Sequence, residues 1–243
     1  MSTLLLRLAG PMQSWGYASL FDRRDTGAYP TKSGVIGILA AALGRKRGEL
    51  LDDLRSLRFG VRIDAPGKIM EDYHINEMKG DDRKYKNNVS HRFYLTDAIF
   101  LVGLESDDEK LLETCNTALQ NPVYALFLGR KSCPPTGPLT LGIKEASLED
   151  ALKDSDWTVP EFRKKRILGN RDKIYLRILV EDDKSKTLVK DNPVSYSLLR
   201  REYAYRGIRE HTPKTIVSEK REESGTARDI YTTEHDPMKE LIG

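Results

Sequence analysis

The sequence predicts an α+β fold. Two kinds of apolar segment alternate along the chain: short runs typical of strands, such as Leu4–Ala9 and Thr96–Glu105, and longer segments with one apolar face typical of helices. Clusters of Gly, Pro, Asn and Asp separate them, as expected of turns. Apolar residues make up 39% of the 243 residues and charged residues 32%, which is polar for a free-standing enzyme of this size but far from disordered, and which suits a protein with a large wet interface.

The chain opens with a predicted buried strand, Leu4–Ala9, which Gly10-Pro11 ends. The next segment, Met12–Tyr29, has no periodicity and is predicted as a loop. It carries aromatic, amide and cationic side chains: Gln13, Trp15, Tyr17, Phe21, Arg23 and Arg24.

A short apolar helix is predicted next, with Ser33 as its N-cap and Gly44 after its last turn. Gly34 and Gly37 have no side chains to cover the backbone of its first turn, and Lys32 precedes the helix. An amide-rich helix start beside a lysine suits a phosphate. The alternative is that the glycines only allow close packing on a sheet. The spacing does not match a nucleotide-binding P-loop.

The following elements are a short helix in Glu49–Leu57 and a strand in Phe59–Asp64, which Lys68–His74 continues after a turn. Asn76–Arg92 then changes character, because it is dense in charge and almost free of aliphatic residues. It is too polar for a core, and we expect it to project as a long hairpin or arm.

After the arm, the pattern predicts a strand in Thr96–Glu105, a helix from Asp107/Asp108 to Leu119, and a strand in Val123–Leu128. The order up to this point is strand, helix, strand, arm, strand, helix, strand. This is the split β-α-β pattern of ferredoxin-like folds, whose open sheet face often binds RNA. The aromatic signature of the standard RNA-recognition motif (RRM) is absent.

A basic turn follows at Gly129–Pro135. Gly129 frees the backbone, and Arg130, Lys131 and Ser132 are suited to contact a phosphate backbone. The alternative is a basic turn that water solvates.

The second half is less apolar, and we expect a smaller β-rich region there. Predicted elements are strands in Leu139–Ile143 and Lys173–Val180, a helix or turn in Leu148–Trp157, and a segment at Pro193–Tyr205. A basic run at Arg163–Arg166 is typical of a solvated face, and the alternative is that it touches phosphate. The predicted domains are residues 1–138 with the arm 76–92, residues 139–217, and a flexible polar tail, residues 218–243.

Several chemistries are not supported. The two cysteines form no disulfide framework, and the four histidines lack metal-ligand spacing, so no metal or cofactor is expected. Tyr73 and His74, with Lys131, are the best candidates for a metal-independent ribonuclease, but a lone His is more often structural. The net charge of +3 restricts any nucleic-acid argument to local clusters. No apolar run suits a signal peptide or membrane span, so we expect a cytoplasmic protein.

Five motifs occur in an order and spacing that resemble the CasD family, the E-subtype branch of the fifth CRISPR-associated (Cas) family. The resemblance runs from Leu4 to Pro138 and is thinner beyond. The motifs are Gly10-Pro11-Met12-Gln13-Ser14-Trp15-Gly16, Pro30-Thr31-Lys32-Ser33-Gly34-Val35-Ile36-Gly37, Asp72-Tyr73-His74, Tyr94-Leu95-Thr96-Asp97-Ala98 and Leu128-Gly129-Arg130-Lys131-Ser132-Cys133-Pro134.

The resemblance implies a ferredoxin-like palm of the RRM or RAMP type with a protruding β-hairpin thumb, in a non-catalytic subunit of the type I-E Cascade complex. It implies partners as well: the 5′ handle of CRISPR RNA, the backbone subunit, the large subunit that reads the PAM, and target DNA near the PAM end through the complex. The thumb residues expected to contact a neighbouring subunit are Arg83, Lys84, Tyr85, Lys86 and Arg92.

The residues expected to bind RNA are Gln13, Trp15, Lys32, Ser33, Gly34, Tyr73, His74, Arg130, Lys131, Ser132 and Arg200. In this interpretation Gln13 reads a base edge, and Trp15, Tyr17 and Tyr73 stack on bases, although Trp15 is equally suited to anchor a core. Two other functions stay open: an endoribonuclease that processes precursor CRISPR RNA, and a general RNA-binding protein outside CRISPR biology.

Overall fold

The computed structural model describes residues 1–16, 22–79, 85–197 and 199–217, without the side chains of residues 76, 78, 79 and 85–88. Within these ranges the chain is mixed α+β. In chain order its elements are β1 (Ser2–Ala9), β2 (Met12–Gln13), β3 (Arg23–Arg24), α1 (Lys32–Ala42), α2 (Asp52–Arg55), β4 (Arg58–Ala65), β5 (Lys68–Lys79), β6 (Tyr85–Thr96), β7 (Ile99–Ser106), α3 (Glu109–Gln120), β8 (Thr140–Lys144), α4 (Leu148–Asp154), α5 (Glu161–Leu168), β9 (Lys173–Glu181), β10 (Leu188–Tyr196) and β11 (Arg201–Val217).

The larger sheet has the strand order β10-β11-β9-β4-β7-β1-β8. In its central part, β7 lies antiparallel between β1 and β4, and β1 lies antiparallel between β7 and β8. Helix α1 connects β1 to β4, and helix α3 connects β7 to β8. Strand β7 lies between β1 and β4, and strand β1 lies between β7 and β8, so the two β-α-β units interleave. This is the ferredoxin-like arrangement, and the predicted fold class is confirmed.

The fourth strand of this unit is not the predicted one. Val123–Leu128 forms turns, because the N–H groups of Val123 and Tyr124 donate to the last carbonyls of α1, Ala42 O and Ala41 O, at 3.0 and 3.3 Å. Thr140–Lys144 takes the place beside β1. The strand prediction for Val123–Leu128 was therefore wrong, and the helix predicted in Glu49–Leu57 shrinks to α2.

Helices cover both faces of the sheet. The main core lies between the sheet and helices α1 and α3. On the other face, Leu148 and Leu152 of α4 pack on Leu5 and Leu101. A Cβ added at Gly103 would lie 2.6 Å from Leu148 Cδ1, so the helix needs a glycine beneath it. The sheet face that RNA contacts in many ferredoxin-like proteins is closed here.

The C-terminal strands extend the same sheet. Strand β9 pairs with β4 over three residues, and β11 pairs with β9 along most of its length. The domain boundary at residue 138 stays a prediction, and strands from both sides of it share one sheet. The predicted tail, residues 218–243, lies outside the described residues.

The projecting arm is a hairpin of β5 and β6 that is longer than predicted. Its register runs from Lys68 opposite Thr96 to Lys79 opposite Tyr85, so the arm begins at the turn after Ala65 rather than at Asn76. Strands β2 and β3 pair with the other edge of β6 near its root.

Candidate nucleic-acid interface

The predicted phosphate site at the start of α1 is filled by the protein itself. Thr31, not Ser33, is the N-cap, and its side chain accepts from Gly34 N at 3.2 Å. Asp191 on β10 places Oδ2 2.9 Å from Lys32 N. This carboxylate occupies the position of an external anion, because exposed helix-start amides and a negative charge attract each other.

The Lys32 side chain is likewise already paired within the protein. Its Nζ donates to both carboxylate oxygens of Glu181, at 3.0 and 2.9 Å, and the residue is 2% exposed. Burial lowers the pKa of the lysine, and the charge of Glu181 opposes that shift. The Tyr196 hydroxyl donates to the Ser33 carbonyl. Lys32 is therefore already used within the fold, because β9 and β10 cover this end of α1, whereas Ser33 is half-buried and its contact with RNA stays a prediction.

Gln13 and Trp15 lie in the core. The Gln13 amide donates to Ala98 O at 2.8 Å and to Leu8 O at 3.2 Å, and it accepts from Trp15 Nε1 at 3.0 Å. Both side chains are at most 1% exposed, so neither reaches a base. A Cβ at Gly34 would lie 2.8 Å from the Trp15 ring, which explains this glycine by packing. The alternative of a core anchor is the correct one for Trp15.

The basic turn, by contrast, lies at the surface beside the hairpin. Gly129 has φ +88°, and a Cβ there would meet Ser14 O at 1.7 Å, so only glycine fits. The N–H of Cys133 closes the turn by donating to Arg130 O at 2.8 Å. Lys131 and Ser132 are exposed, and no described residue contacts the Lys131 ammonium.

Arg130 joins the turn to the root of the hairpin. Its guanidinium carbon lies 4.7 Å from the ring centroid of Tyr94, and Nη2 donates to Arg24 O at 2.7 Å. Its Nη1 is buried without a hydrogen-bond partner among the described residues. The aromatic face and the carbonyl hold the guanidinium in place while its charge stays uncompensated.

The same face of the hairpin carries further unpaired donors. In the hairpin register, His74 lies opposite Ser90 and Asp72 lies opposite Arg92. Directly opposed side chains share a face, and Ser90, Arg92 and Tyr94 are each two residues apart on β6, so all of these side chains lie on the same face of the hairpin. Ser90 Oγ and Arg92 Nε are buried and, within the described ranges, have no hydrogen-bond partner. Buried donors of this kind are usually satisfied, so this cluster is suited to an anionic ligand. We call the basic turn and this hairpin face the anion-binding face. Its residues are His74, Ser90, Arg92, Arg130, Lys131 and Ser132.

The sequence predicted RNA binding for four of these six residues, predicted a subunit contact for Arg92, and gave no role to Ser90. A period of two along β6 would have grouped Ser90 with Arg92 and Tyr94 once that segment is taken as a strand. A polar arm without assigned strands, as the composition predicts, gives its side chains no direction.

Tyr73 and His74 point to opposite faces of β5, because neighbouring strand residues alternate. Tyr73 is 57% exposed, and its ring meets His91 edge-on, with centroids 5.3 Å apart. His91 Nδ1 lies 2.6 Å from Glu71 Oε1. The two candidate catalytic side chains therefore do not converge on one position.

The other predicted residues are distant from this face or not described. Arg200 is exposed and pairs with Glu202 at 2.9 Å. Arg83 and Lys84 lie outside the described residues, and only the backbone is described at Tyr85 and Lys86. Across the part of the chain that the structure covers, no three His, Cys, Asp or Glu side chains are grouped to hold a metal ion. None of the described helices is long and apolar enough to cross a membrane.

Comparisons with known proteins agree on one family. The family model described as CRISPR-associated protein (Cas_Cas5) matches residues 3–209. The chain is 38% identical over 165 residues to the Escherichia coli (strain K12) protein described as CRISPR system Cascade subunit CasD, covering 60% of this chain and 73% of that protein.

Two solved structures resemble the whole fold. One, described as a Cas protein, is 42% identical with a TM-score of 0.68, and covers 87% of this chain and 95% of its own. The other, from a CRISPR RNA-guided surveillance complex, is 29% identical with a TM-score of 0.69, and covers 89% and 91%. These matches confirm the predicted resemblance: the chain belongs to the Cas5 family of CRISPR-associated proteins.

Proposed function

We propose that this chain is a non-catalytic subunit of a type I-E Cascade surveillance complex, in which it binds the 5′ handle of CRISPR RNA. Its relative from Escherichia coli is a Cascade subunit, and a similar chain belongs to an RNA-guided surveillance complex. The observation that carries the RNA-binding part is the set of unpaired donors on the anion-binding face: Ser90 Oγ, Arg92 Nε and Arg130 Nη1.

The chemistry of this face suits a single-stranded RNA backbone. Arg130 offers an oriented fork, Lys131 a mobile charge and Ser132 a hydroxyl, and each can contact a phosphate oxygen. Arg92 and His74 continue the same face along the hairpin. The phosphate contacts set the position of the handle, and exposed bases are then read by edges or stacking. With Trp15 buried and Tyr17 outside the described residues, the exposed aromatic among the described hairpin side chains is Tyr73, which lies on the face of β5 opposite to His74.

The opposite face of the hairpin suits a protein partner. Ile69, Tyr73 and Ile75 lie on this face of β5 and are 69%, 57% and 53% exposed, and Glu71, which contacts His91, lies between Ile69 and Tyr73. Exposed apolar side chains on a projecting hairpin, with a charged pair among them, fit a neighbouring subunit. We extend the proposal to contacts of the hairpin, including Arg83, Lys84, Tyr85 and Lys86, with the backbone subunit, and to contacts of the chain with the large PAM-reading subunit and with target DNA near the PAM end through the complex. Arg92, also expected to contact a subunit, lies instead on the anion-binding face.

The RNA contact is tested with the double variant Arg130→Gln/Lys131→Gln. We expect repeat-derived RNA to bind roughly tenfold or more weakly at about 0.1 M salt, and the slope of log K against log salt to fall by about 1.4 for two lost contacts. The matched control is Lys110→Gln/Lys153→Gln, which removes two exposed charges from α3 and α4. Equal binding by the two double variants would place the RNA elsewhere.

The same incubation, performed in chelator and read on a denaturing gel, tests the alternative function. We expect the RNA to stay intact. A discrete cut would make the chain a metal-independent endoribonuclease, and His74→Ala and Tyr73→Phe would then identify the side chain responsible.

The hairpin contact is tested by shortening the arm. Residues 76–88 are replaced by Asn-Gly, which joins Ile75 to Val89 through a two-residue turn, because these residues are directly opposed. We expect unchanged thermal stability, since Ser90, the outermost buried residue among the described side chains of the arm, is kept. Co-purification with the neighbouring subunit should fall sharply. Retained assembly would refute the role of the arm, and loss of folding would show that the arm belongs to the core.

A further inference from the structure

A second charged region lies where two strands of the large sheet separate. Strands β4 and β9 pair only from Gly60 opposite Val180 to Arg62 opposite Ile178. Beyond this point β4 ends at Ala65 and the chain turns into the hairpin, whereas β9 continues beside β11. The gap between them, with α5 along one side, is a groove of about 520 Å³.

The walls of this groove are strongly basic. They carry Lys68 at the root of the hairpin, Arg163, Arg166 and Arg171 on and after α5, and Arg177 on β9. The two acidic side chains in the lining are Asp64 and Asp97. Asp64 is fully engaged, since Arg62 and Thr158 donate to its carboxylate at 2.6 Å each. The groove therefore has an excess of positive charge.

Most of these cations keep their charge free for a ligand. Lys68 and Arg166 have exposed side chains with no hydrogen-bond or ionic partner among the described residues. Arg163 Nη2 donates to the carbonyl of Asp97 at 2.7 Å, and Arg171 donates to carbonyls of α5. Carbonyl acceptors orient a guanidinium without neutralising it. Of the five, Arg177 is the one that pairs with a carboxylate, Glu210, at 2.8 Å.

The lining also presents an aromatic side chain to solvent. Tyr175 on β9 is 63% exposed, between the basic wall of α5 and Arg177 along the chain. A basic groove with an exposed aromatic ring is the usual arrangement for single-stranded nucleic acid, because cations follow the backbone and the ring stacks on a base. An acidic protein segment would pair with the groove cations but would offer no base to stack on the Tyr175 ring.

We propose that this groove is a second nucleic-acid site that binds two or more phosphates of a single strand, with one base stacked on Tyr175. It uses residues separate from the anion-binding face and does not depend on the role proposed for that face. The phosphodiester backbone is the recognised chemistry, and either RNA or a displaced DNA strand supplies it.

The test measures binding of fluorescent single-stranded 10-mers of RNA and of DNA by anisotropy across a salt series, with the full chain. The groove variant is Lys68→Gln/Arg166→Gln, chosen because neither side chain has a hydrogen-bond or ionic partner among the described residues. The control is Lys110→Gln/Lys165→Gln, in which Lys165 lies on α5 but does not line the groove. We expect the groove variant to lose roughly tenfold in affinity at about 0.1 M salt and about 1.4 in salt slope, and the control to change little.

Tyr175→Leu separates stacking from charge. We expect roughly five- to tenfold weaker binding with an unchanged salt slope, because a stacked base contributes affinity that releases no counterions. Preferential loss with RNA would assign the groove to the guide, and preferential loss with DNA would assign it to a target strand.

The proposal is overturned if the groove variant and its control bind alike, or if polyglutamate binds the groove as tightly as the oligonucleotides do. Neither outcome affects the handle-binding role, which the Arg130→Gln/Lys131→Gln variant tests on its own. Conversely, loss of binding in the groove variant alone would support the groove and refute the anion-binding face.

Discussion

Asp191→Asn removes one negative charge from the centre of a buried network and changes its shape little. The carboxylate accepts from Arg206 Nε at 2.6 Å, from Arg206 Nη2 at 2.9 Å and from the N–H of Lys32 at 2.9 Å. The side chains of Asp191 and Arg206 are 5% and 4% exposed. The pair thereby fastens β10 and β11 to the start of α1.

The expected cost follows from this burial. The asparagine keeps one acceptor oxygen but turns an NH₂ group toward the guanidinium, and the Arg206 charge is left without a counter-ion in a site that water does not reach. Removing one partner of a buried ion pair costs about 3–5 kcal/mol. Since whole proteins are stable by about 5–15 kcal/mol, this variant loses a large fraction of its free energy of unfolding.

Urea unfolding followed by circular dichroism measures the loss. With a slope of about 1–3 kcal/mol per molar urea, a loss of about 3–5 kcal/mol should lower the midpoint by roughly 1–5 M. The matched control is Glu210→Gln, which breaks the exposed Arg177 pair and should cost less than about 1 kcal/mol.

A second variant shows whether the lost stability comes from the unpaired Arg206 charge or from any substitution at this position. Asp191→Leu/Arg206→Met removes both charges and should recover most of the stability. About 1–2 kcal/mol remains lost, because the N–H of Lys32 no longer has an acceptor. If Asp191→Asn is as stable as the Glu210→Gln control, the reasoning is refuted.

Two substitutions in α1 should act in opposite directions: Gly34→Ala should destabilise by about 1–3 kcal/mol, because the new Cβ lies 2.8 Å from the buried Trp15 ring. Gly37→Ala, whose nearest neighbour would be 3.8 Å away, should stabilise by about 0.5–1 kcal/mol through helix propensity, and thermal unfolding of both shows whether the signs differ. A separate prediction concerns acid: hydrogen bonding to Arg58 holds the pKa of Glu149 below its usual value of 4.5. Glu149 thus stabilises the fold above pH 4.5 and stops doing so as the pH falls through its lowered folded pKa; Glu149→Gln should be less stable at pH 7 and flatter below pH 4.5, and parallel pH profiles for the two proteins would contradict this.

Local signals in the sequence were sufficient for much of the fold. Strand β1 is a continuous apolar run, and β9 alternates buried and exposed side chains as its sequence does. Helix α3 begins where Asp108 caps it, with the side chain accepting from Leu111 N at 3.1 Å. In each case residues a few positions apart determine the element, so the local sequence alone is sufficient to predict it.

Part of the candidate interface was predictable for the same reason. The charge density of the arm indicated that it must project, and the glycine and cations of the basic turn indicated a surface loop. The turn residues Arg130, Lys131 and Ser132 indeed lie at the surface or half-buried at its edge. Composition alone requires charged side chains to stay near water.

Tertiary structure decided which of the remaining polar residues are free. Lys32 and the start of α1 have the chemistry of an anion site, but Asp191, which is 159 residues further along the chain, fills it. Gln13 has the chemistry of a base reader, but its amide satisfies carbonyls in the core. The sequence by itself determined which groups can bind a ligand. Only the packing of distant segments decided which of those groups the protein had already used, because a hydrogen bond or ion pair between strands far apart in sequence leaves no local pattern.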